Sequence, residues 1–268
     1  MSKIRFLRES FTTGLLGLLI LLNTGTVQAQ DELSYVQYRN LSWAADRINH
    51  MAQFEPIHGE AGMLFALGER FGTVQVVKTD ARGAQRVWKS NQLAGVPEEV
   101  ITADMDGDQL EDTILCRTNL GKVYAWSMDG YNLVWESLTG EYEVITAFTT
   151  ANMDEDQANE IVMIADNKIV YIDGANYSKQ FTSLNEYQAT QVRCGDVDGD
   201  SRVEVVLNTG QVLDSVSGDV EWEDEPFFGK IELLDIDGDG IPEVLTENPG
   251  NGALKVFDVD YRSEVRFQ

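Results

Sequence analysis

Asp104-Met105-Asp106-Gly107-Asp108-Gln109-Leu110-Glu111-Asp112 carries acids at positions 1, 3, 5 and 9 of a nine-residue stretch. Three more stretches align with it without gaps. They are Asn152-Met153-Asp154-Glu155-Asp156-Gln157-Ala158-Asn159-Glu160, Asp196-Val197-Asp198-Gly199-Asp200-Ser201-Arg202-Val203-Glu204 and Asp235-Ile236-Asp237-Gly238-Asp239-Gly240-Ile241-Pro242-Glu243. Their starts lie 48, 44 and 39 residues apart. That is the period of propeller blades and not of ankyrin or leucine-rich arrays.

Alternate side chains of a tight turn converge on one point, and converging carboxylates repel unless a cation sits between them. A hard ion with six to eight oxygen ligands at about 2.4 Å suits such a cage, which favours Ca²⁺ over Mg²⁺. Zinc would want His or Cys, and these loops contain neither. The sequence therefore assigns metal-ligating side chains to Asp104, Asp106, Asp108 and Asp112 in loop one, and to Asn152, Asp154, Asp156 and Glu160 in loop two. It assigns Asp196, Asp198, Asp200 and Glu204 in loop three, and Asp235, Asp237, Asp239 and Glu243 in loop four. The carbonyls at position 7, of Leu110, Ala158, Arg202 and Ile241, complete each shell. Glycine at position 4 permits the turn that aims the first three ligands inward. Loop two lacks it, having Glu155, and its Asn152 removes one charge, so it is expected to be the weakest of up to four sites.

An EF-hand needs Gly at position 6 and a bidentate Glu at 12. Position 12 here is Leu115, Met163, Leu207 or Thr246, inside apolar segments. Asp-Gly-rich loops are also ordinary solvated turns, but four copies at one spacing argue against that reading.

Each loop joins two short apolar segments, such as Val100-Ile101-Thr102-Ala103 before loop one and Thr113-Ile114-Leu115-Cys116 after it. Two more follow in every repeat, for example Val123-Tyr124-Ala125-Trp126, the Asp129-Gly130 turn, then Leu133-Val134-Trp135. Strands this short, separated by Gly, Asp and Asn, read as antiparallel hairpins. A closing aromatic recurs once per repeat, at Trp88, Trp135, Phe181, Trp222 and Phe267. It is expected to pack between neighbouring sheets. The expected fold is thus all-β, a β-propeller of about five four-stranded antiparallel blades, with Ca²⁺ loops between the first and second strands of four of them. Residues 63–268 form the propeller. Residues 30–62 supply a first inner strand or one that closes the ring. Within them 44–54 reads equally as a short helix, because Ala44, Ile48, Met51 and Ala52 share a helical face.

At the start, Lys3, Arg5 and Arg8 precede the apolar run 14–22, and Val27 and Ala29 are small residues where a signal peptidase reads. The run is about half the roughly 20 residues needed to span a bilayer. Residues 1–29 are therefore expected to be a cleaved signal peptide, with no membrane anchor, and the protein to be secreted or periplasmic. Cys116 and Cys194 are the only cysteines. Oxidation is open to them in an exported chain, but two buried, unpaired thiols are favoured.

The net charge is −25, with 45 Asp+Glu against 20 Lys+Arg, and hydrophobic residues make up 43%. The apolar fraction excludes wholesale disorder. The charge argues against nucleic acid or an anionic membrane as partner.

The loops resemble the calcium loops of FG-GAP/VCBS repeat proteins, whose propellers include the integrin α-subunit head. The stretch Gly121 to Trp135 is similar to the outer strands of PQQ-like propeller repeats. The resemblance covers about residues 63 to 268 and implies Ca²⁺ at positions 1, 3, 5 and 9 of each loop. No Gly-Ala-Pro segment is present, and the chain has room for five blades where integrin propellers have seven. It also lacks the length of a quinone-dependent dehydrogenase, so neither cofactor nor activity carries over.

Three functions follow as expectations. The first is a non-enzymatic binding module, recognising a protein or a glycan, with calcium as a structural ion. The second is a polysaccharide lyase or glycosidase using propeller-face carboxylates. It has little to draw on, since the loops account for nearly all the acid clusters and His50 and His58 are the only histidines. The third is an accessory subunit of an exported assembly, with Glu221 to Phe228 as its contact, unless Phe227 and Phe228 simply begin an inner strand. The chain would be a monomer or such a subunit.

Overall fold

The computed structural model describes residues 48–54, 62–80, 83–154, 156–227, 229–248 and 250–265. The chain divides into two units, 1–49 and 50–268, and the second is the one described below. The signal segment 1–29, the aromatics Tyr35, Tyr38 and Trp43, and also His58, Phe228 and Phe267, lie outside the described residues.

Twenty short strands form five four-stranded antiparallel sheets, each in chain order. Blade 1 holds β1 (Ile48–Phe54), β2 (Met63–Glu69), β3 (Thr73–Asp80) and β4 (Gly83–Lys89). Blade 2 holds β5 (Pro97–Ala103), β6 (Thr113–Thr118), β7 (Val123–Ser127) and β8 (Leu133–Glu136). Blade 3 holds β9 (Ile145–Ala151), β10 (Glu160–Ala165), β11 (Lys168–Ile172) and β12 (Lys179–Thr182). Blade 4 holds β13 (Val192–Gly195), β14 (Glu204–Leu207), β15 (Gln211–Asp214) and β16 (Val220–Glu223). Blade 5 holds β17 (Ile231–Leu234), β18 (Glu243–Glu247), β19 (Leu254–Asp258) and β20 (Ser263–Val265). The fold is the expected all-β propeller array. Residues 48–54 settle the ambiguity of the N-terminal segment: they are a strand and not a helix, because β1 supplies the first strand of blade 1.

Burial explains the strand order. The second strand of each blade is sandwiched between neighbours, so β6 and β10 are buried along their whole length, while the outer β8 and β12 are mostly exposed. Four apolar clusters each join two successive blades. Ala66 and Val76 meet Val100 and Ile114, and Leu115 and Ala125 meet Phe148 and Met163. Val162 and Ile164 meet Val205 and Leu213, and Val206 and Val212 meet Ile231 and Phe257. Continuous apolar runs suit sheets covered on both faces.

Of the closing aromatics, Trp88, Trp135 and Phe181 pack toward the third-to-fourth strand turn of the next blade, and Trp222 packs on Phe227 in the link before β17. Trp88 stacks on Tyr131 at 5.3 Å and Trp135 on Tyr177 at 5.3 Å. The Phe181 ring lies 2.8 Å from where a Cβ on Gly218 would stand. Tyr131 and Tyr177 hold φ of 54° and 56°, an uncommon region for a bulky side chain. Inter-blade stacking is what holds them there.

Two arginines also tie neighbouring blades together. Buried Arg117 of β6 reaches Glu98 at 2.6 Å and Glu99 at 2.9 Å, and donates to the Ile145 carbonyl of blade 3. Arg193 of β13 grips Glu232 of β17 with two bonds of 2.8 and 2.9 Å. Cys116 on β6 and Cys194 on β13 are free thiols, the first buried as the sequence favoured and the second only half-buried. No helix among the described residues is long and apolar enough to cross a membrane.

The ends of the sheets away from the acidic loops are braced by short polar side chains. Asn119 accepts from Val96 N, Asp166 from Val144 N, and Asn208 from Gln191 N. A serine two residues after the closing aromatic, Ser90, Ser137 or Ser183, accepts the N–H of Val74, Val123 or Ile169. These braces were not singled out in the sequence, although the recurring Trp/Phe-x-Ser is visible there.

Candidate metal centres

Loop one joins β5 to β6, loop two β9 to β10, loop three β13 to β14, and loop four β17 to β18. Each turn is held by its own acids. In loops one, three and four, Asp104, Asp196 and Asp235 accept from the position 4 N–H with one oxygen and from the position 6 N–H with the other, at 2.7–3.1 Å. Gly107, Gly199 and Gly238 at position 4 have φ of 79°, 78° and 85°, which is why glycine stands there.

Position 3 accepts from the N–H of position 5 in all four loops. Position 5 accepts from the N–H of position 7, that is Leu110, Ala158, Arg202 and Ile241. The acids thus fix the peptide groups next to the carbonyls that the sequence assigns as ligands. The Leu110 carbonyl itself accepts the Asp112 N–H at 2.8 Å.

Carboxylate oxygens converge within 4.8 Å in every loop. The groups are Asp104, Asp106 and Asp108 in loop one, and Asp154, Asp156 and Glu160 in loop two. They are Asp196, Asp198 and Glu204 in loop three, and Asp235, Asp237 and Asp239 in loop four. All donors are hard oxygens, a set that fits a divalent cation of the calcium or magnesium class.

Position 9 has a second task, which spacing alone did not suggest. Glu160, Glu204 and Glu243 each use Oε2 to accept the N–H of position 2, from Met153, Val197 and Ile236, at 2.6, 2.9 and 2.7 Å. This closes the loop and leaves Oε1 for another partner. In Glu160, wholly buried, Oε1 has no hydrogen-bond partner. A buried, unpaired carboxylate oxygen is costly and needs an explanation.

Loop two is built differently, as its sequence implied. At its position 1 the Asn152 side chain donates, its Nδ2 reaching the Asp156 carbonyl at 2.6 Å. Gln180 of β12 donates to both Asp154 and Asp173 at 3.0 Å, bringing the outer strand to the site. Blade 1 has no such loop among its described residues. His50 of β1 lies elsewhere, its Nδ1 accepting the Val100 N–H at 3.1 Å. Burial lowers its pKa, so it is held neutral as a strand-to-strand acceptor.

Burial, followed by the field of the neighbouring Asp carboxylates, pushes Glu160 and Glu204 up to about 7. Asp112 is raised too, by burial and then by Asp106 and Asp108. A raised carboxylate pKa means that the folded state binds its proton more tightly than the unfolded chain. Between the ordinary glutamate value and about 7, folded stability therefore falls as pH rises. In chelator, melts followed by circular dichroism should show a midpoint about 5 °C higher at pH 5.5 than at pH 7.5. The E160Q/E204Q variant should flatten that slope. With saturating Ca²⁺ the order should reverse, since protons then compete with the ion.

The sequence matches no family model and no curated protein. Solved structures do match in shape. One is Sqt1 of Saccharomyces cerevisiae, at a TM-score of 0.58 and 10% identity, over 82% of this chain and 62% of that one. Another is BamB of Moraxella catarrhalis, at 0.50 and 18%, over 82% of this chain and 61% of that one. At these identities the likeness is one of fold, and the chain spans about three fifths of the length of either protein.

Proposed function

We propose that the chain is an exported calcium-binding propeller of the FG-GAP/VCBS kind, presenting a rigid blade array to a protein or glycan partner without catalysis of its own. Calcium is its structural ion. The observation that carries this reading is the orphaned Oε1 of Glu160, buried where Asp154 and Asp156 converge: a bound cation supplies the missing partner. Positions 1, 3, 5 and 9 of each loop hold the ion, and the carbonyls of Leu110, Ala158, Arg202 and Ile241 complete the shell. The ion's contribution is charge neutralisation and a tie between first and second strands.

Export is supported by the basic start, apolar run and small residues of 1–29. A non-catalytic role is supported by how the remaining acids are used: Arg117 holds Glu98 and Glu99, and Arg193 holds Glu232. The likeness to propellers supports interaction through blade ends, where loops carry function on a fixed scaffold.

Titration calorimetry on chelator-treated protein tests the ion. Three or four Ca²⁺ should bind at about 0.1–1 mM, as in other extracellular modules, with Mg²⁺ weaker. Absence of binding at 10 times that range would remove the calcium reading. Turnover on a panel of acidic and neutral glycans would remove the non-catalytic one.

A further inference from the structure

We infer that the ion sites of loops one and two are coupled across the boundary between blades 2 and 3, filling of either raising the affinity of the other through Asn159. The inference rests on the calcium reading and adds a regulatory relation between two of its sites.

Asn159, at position 8 of loop two, reaches over to loop one. Its Nδ2 donates to the backbone carbonyl of Asp104 at 2.9 Å, and its own N–H donates to the same carbonyl at 3.3 Å. Asp104 is the first ligand of loop one. Asn159 directly precedes Glu160, whose Oε1 is buried and unpartnered in loop two. One peptide carbonyl and one side chain thus lie between the two ion positions.

The loops are also in close contact. A Cβ on Gly107 would stand 2.7 Å from the Gln157 carbonyl carbon, and one on Gly174 2.1 Å from the Asn159 carbonyl oxygen and 2.8 Å from that of Met105. Loop one is wedged between loop two and the next turn of blade 3, with little room to move alone. Loops three and four meet through a flexible side chain instead, Ile241 Cδ1 lying 2.5 Å from where a Cβ on Gly199 would stand.

The physical route is shared ordering. An ion in loop two fixes Glu160 and with it the adjacent Asn159. An ion in loop one fixes Asp104 and hence the carbonyl that accepts from Asn159. Whichever ion enters first orders the bridge, so the second encounters less ordering cost, which is positive coupling. Coupling of this kind is commonly about fivefold or more in affinity, and it acts equally in both directions.

The test is calcium titration calorimetry on protein whose loops three and four are silenced by D198N/D200N and D237N/D239N. Asparagine keeps the Oδ1 acceptors that hold those turns. Here the two remaining sites should fill steeply, and adding D154N/D156N should weaken loop one by about fivefold. With N159A both sites should still fill, but independently. If loop one binds equally well with and without a working loop two, the coupling is refuted while the calcium reading stands. If neither site takes calcium, the calcium reading itself fails. Should the multiple variant not fold by circular dichroism, N159A alone is titrated in the otherwise intact protein. A binding isotherm as steep as that of the unmodified protein then overturns the coupling.

Discussion

Removing calcium with EGTA should lower the melting temperature of the protein by about 10–20 °C. The size follows from mass action. An ion that binds the folded loop and not the unfolded chain contributes about 1.4 kcal/mol per site when its concentration is about ten times the dissociation constant. Millimolar calcium over sites of about 0.1 mM meets that condition. Four such sites give about 6 kcal/mol, and at this chain length each kcal/mol moves the midpoint by about 2–4 °C. The loops are placed to deliver the effect, since each ties the first strand of a blade to the fully packed second one. Equal Mg²⁺ should restore less than calcium does, because it gives up its water reluctantly. A midpoint indifferent to chelation would mean that the Asp-Gly loops are only solvated turns.

Replacing Phe227 by alanine should be the most damaging single change in the last blade junction. The ring is 1% exposed, lying 5.8 Å from Trp222 and 5.0 Å from Phe257, and its carbonyl accepts from Thr246 Oγ1. Truncating a buried phenylalanine costs about 3–5 kcal/mol, the lost transfer energy plus the cavity. A fall of about 10 °C or more in the midpoint is expected, in calcium as well as in chelator. E225A, at an exposed position beside it, should change stability by less than about 0.5 kcal/mol. The pair separates two readings of Glu221 to Phe228. If the segment were a docking surface and no more, F227A would leave the melt alone and abolish a contact.

The repeats made the blades legible before any coordinates. Acids at one spacing marked four turns, and the apolar segments beside them became β5 and β6, β9 and β10, and their counterparts. What stayed hidden was the partner of each contact that crosses from one blade to the next. Tyr131 and Tyr177 look like ordinary turn residues, because the Trp88 and Trp135 rings that hold them belong to the preceding repeat. Asn159 varies freely with respect to the motif, since its partner is a carbonyl 55 residues away. Glu160, Glu204 and Glu243 were visible as ligands, but their bond to the position 2 N–H depends on how tightly the loop closes. Segment 44–54 was ambiguous for a different reason: its apolar spacing fits a helix, and only pairing with β2 makes residues 48–54 a strand.

The two rims of the array are fastened by different chemistry. One carries converging carboxylates, whose mutual repulsion a bound cation would relieve. The other is laced by Asn119, Asp166, Asn208 and the recurring serines, whose hydrogen bonds need no ion at all. With calcium as the ion of those loops, chelation is expected to act on the acidic rim first, where the carboxylates of each loop converge. The laced rim, whose bonds are independent of any ion, should then keep the blades in register, so that hydrogen exchange in chelator rises at the acidic loops before it rises at Val74, Val123 and Ile169.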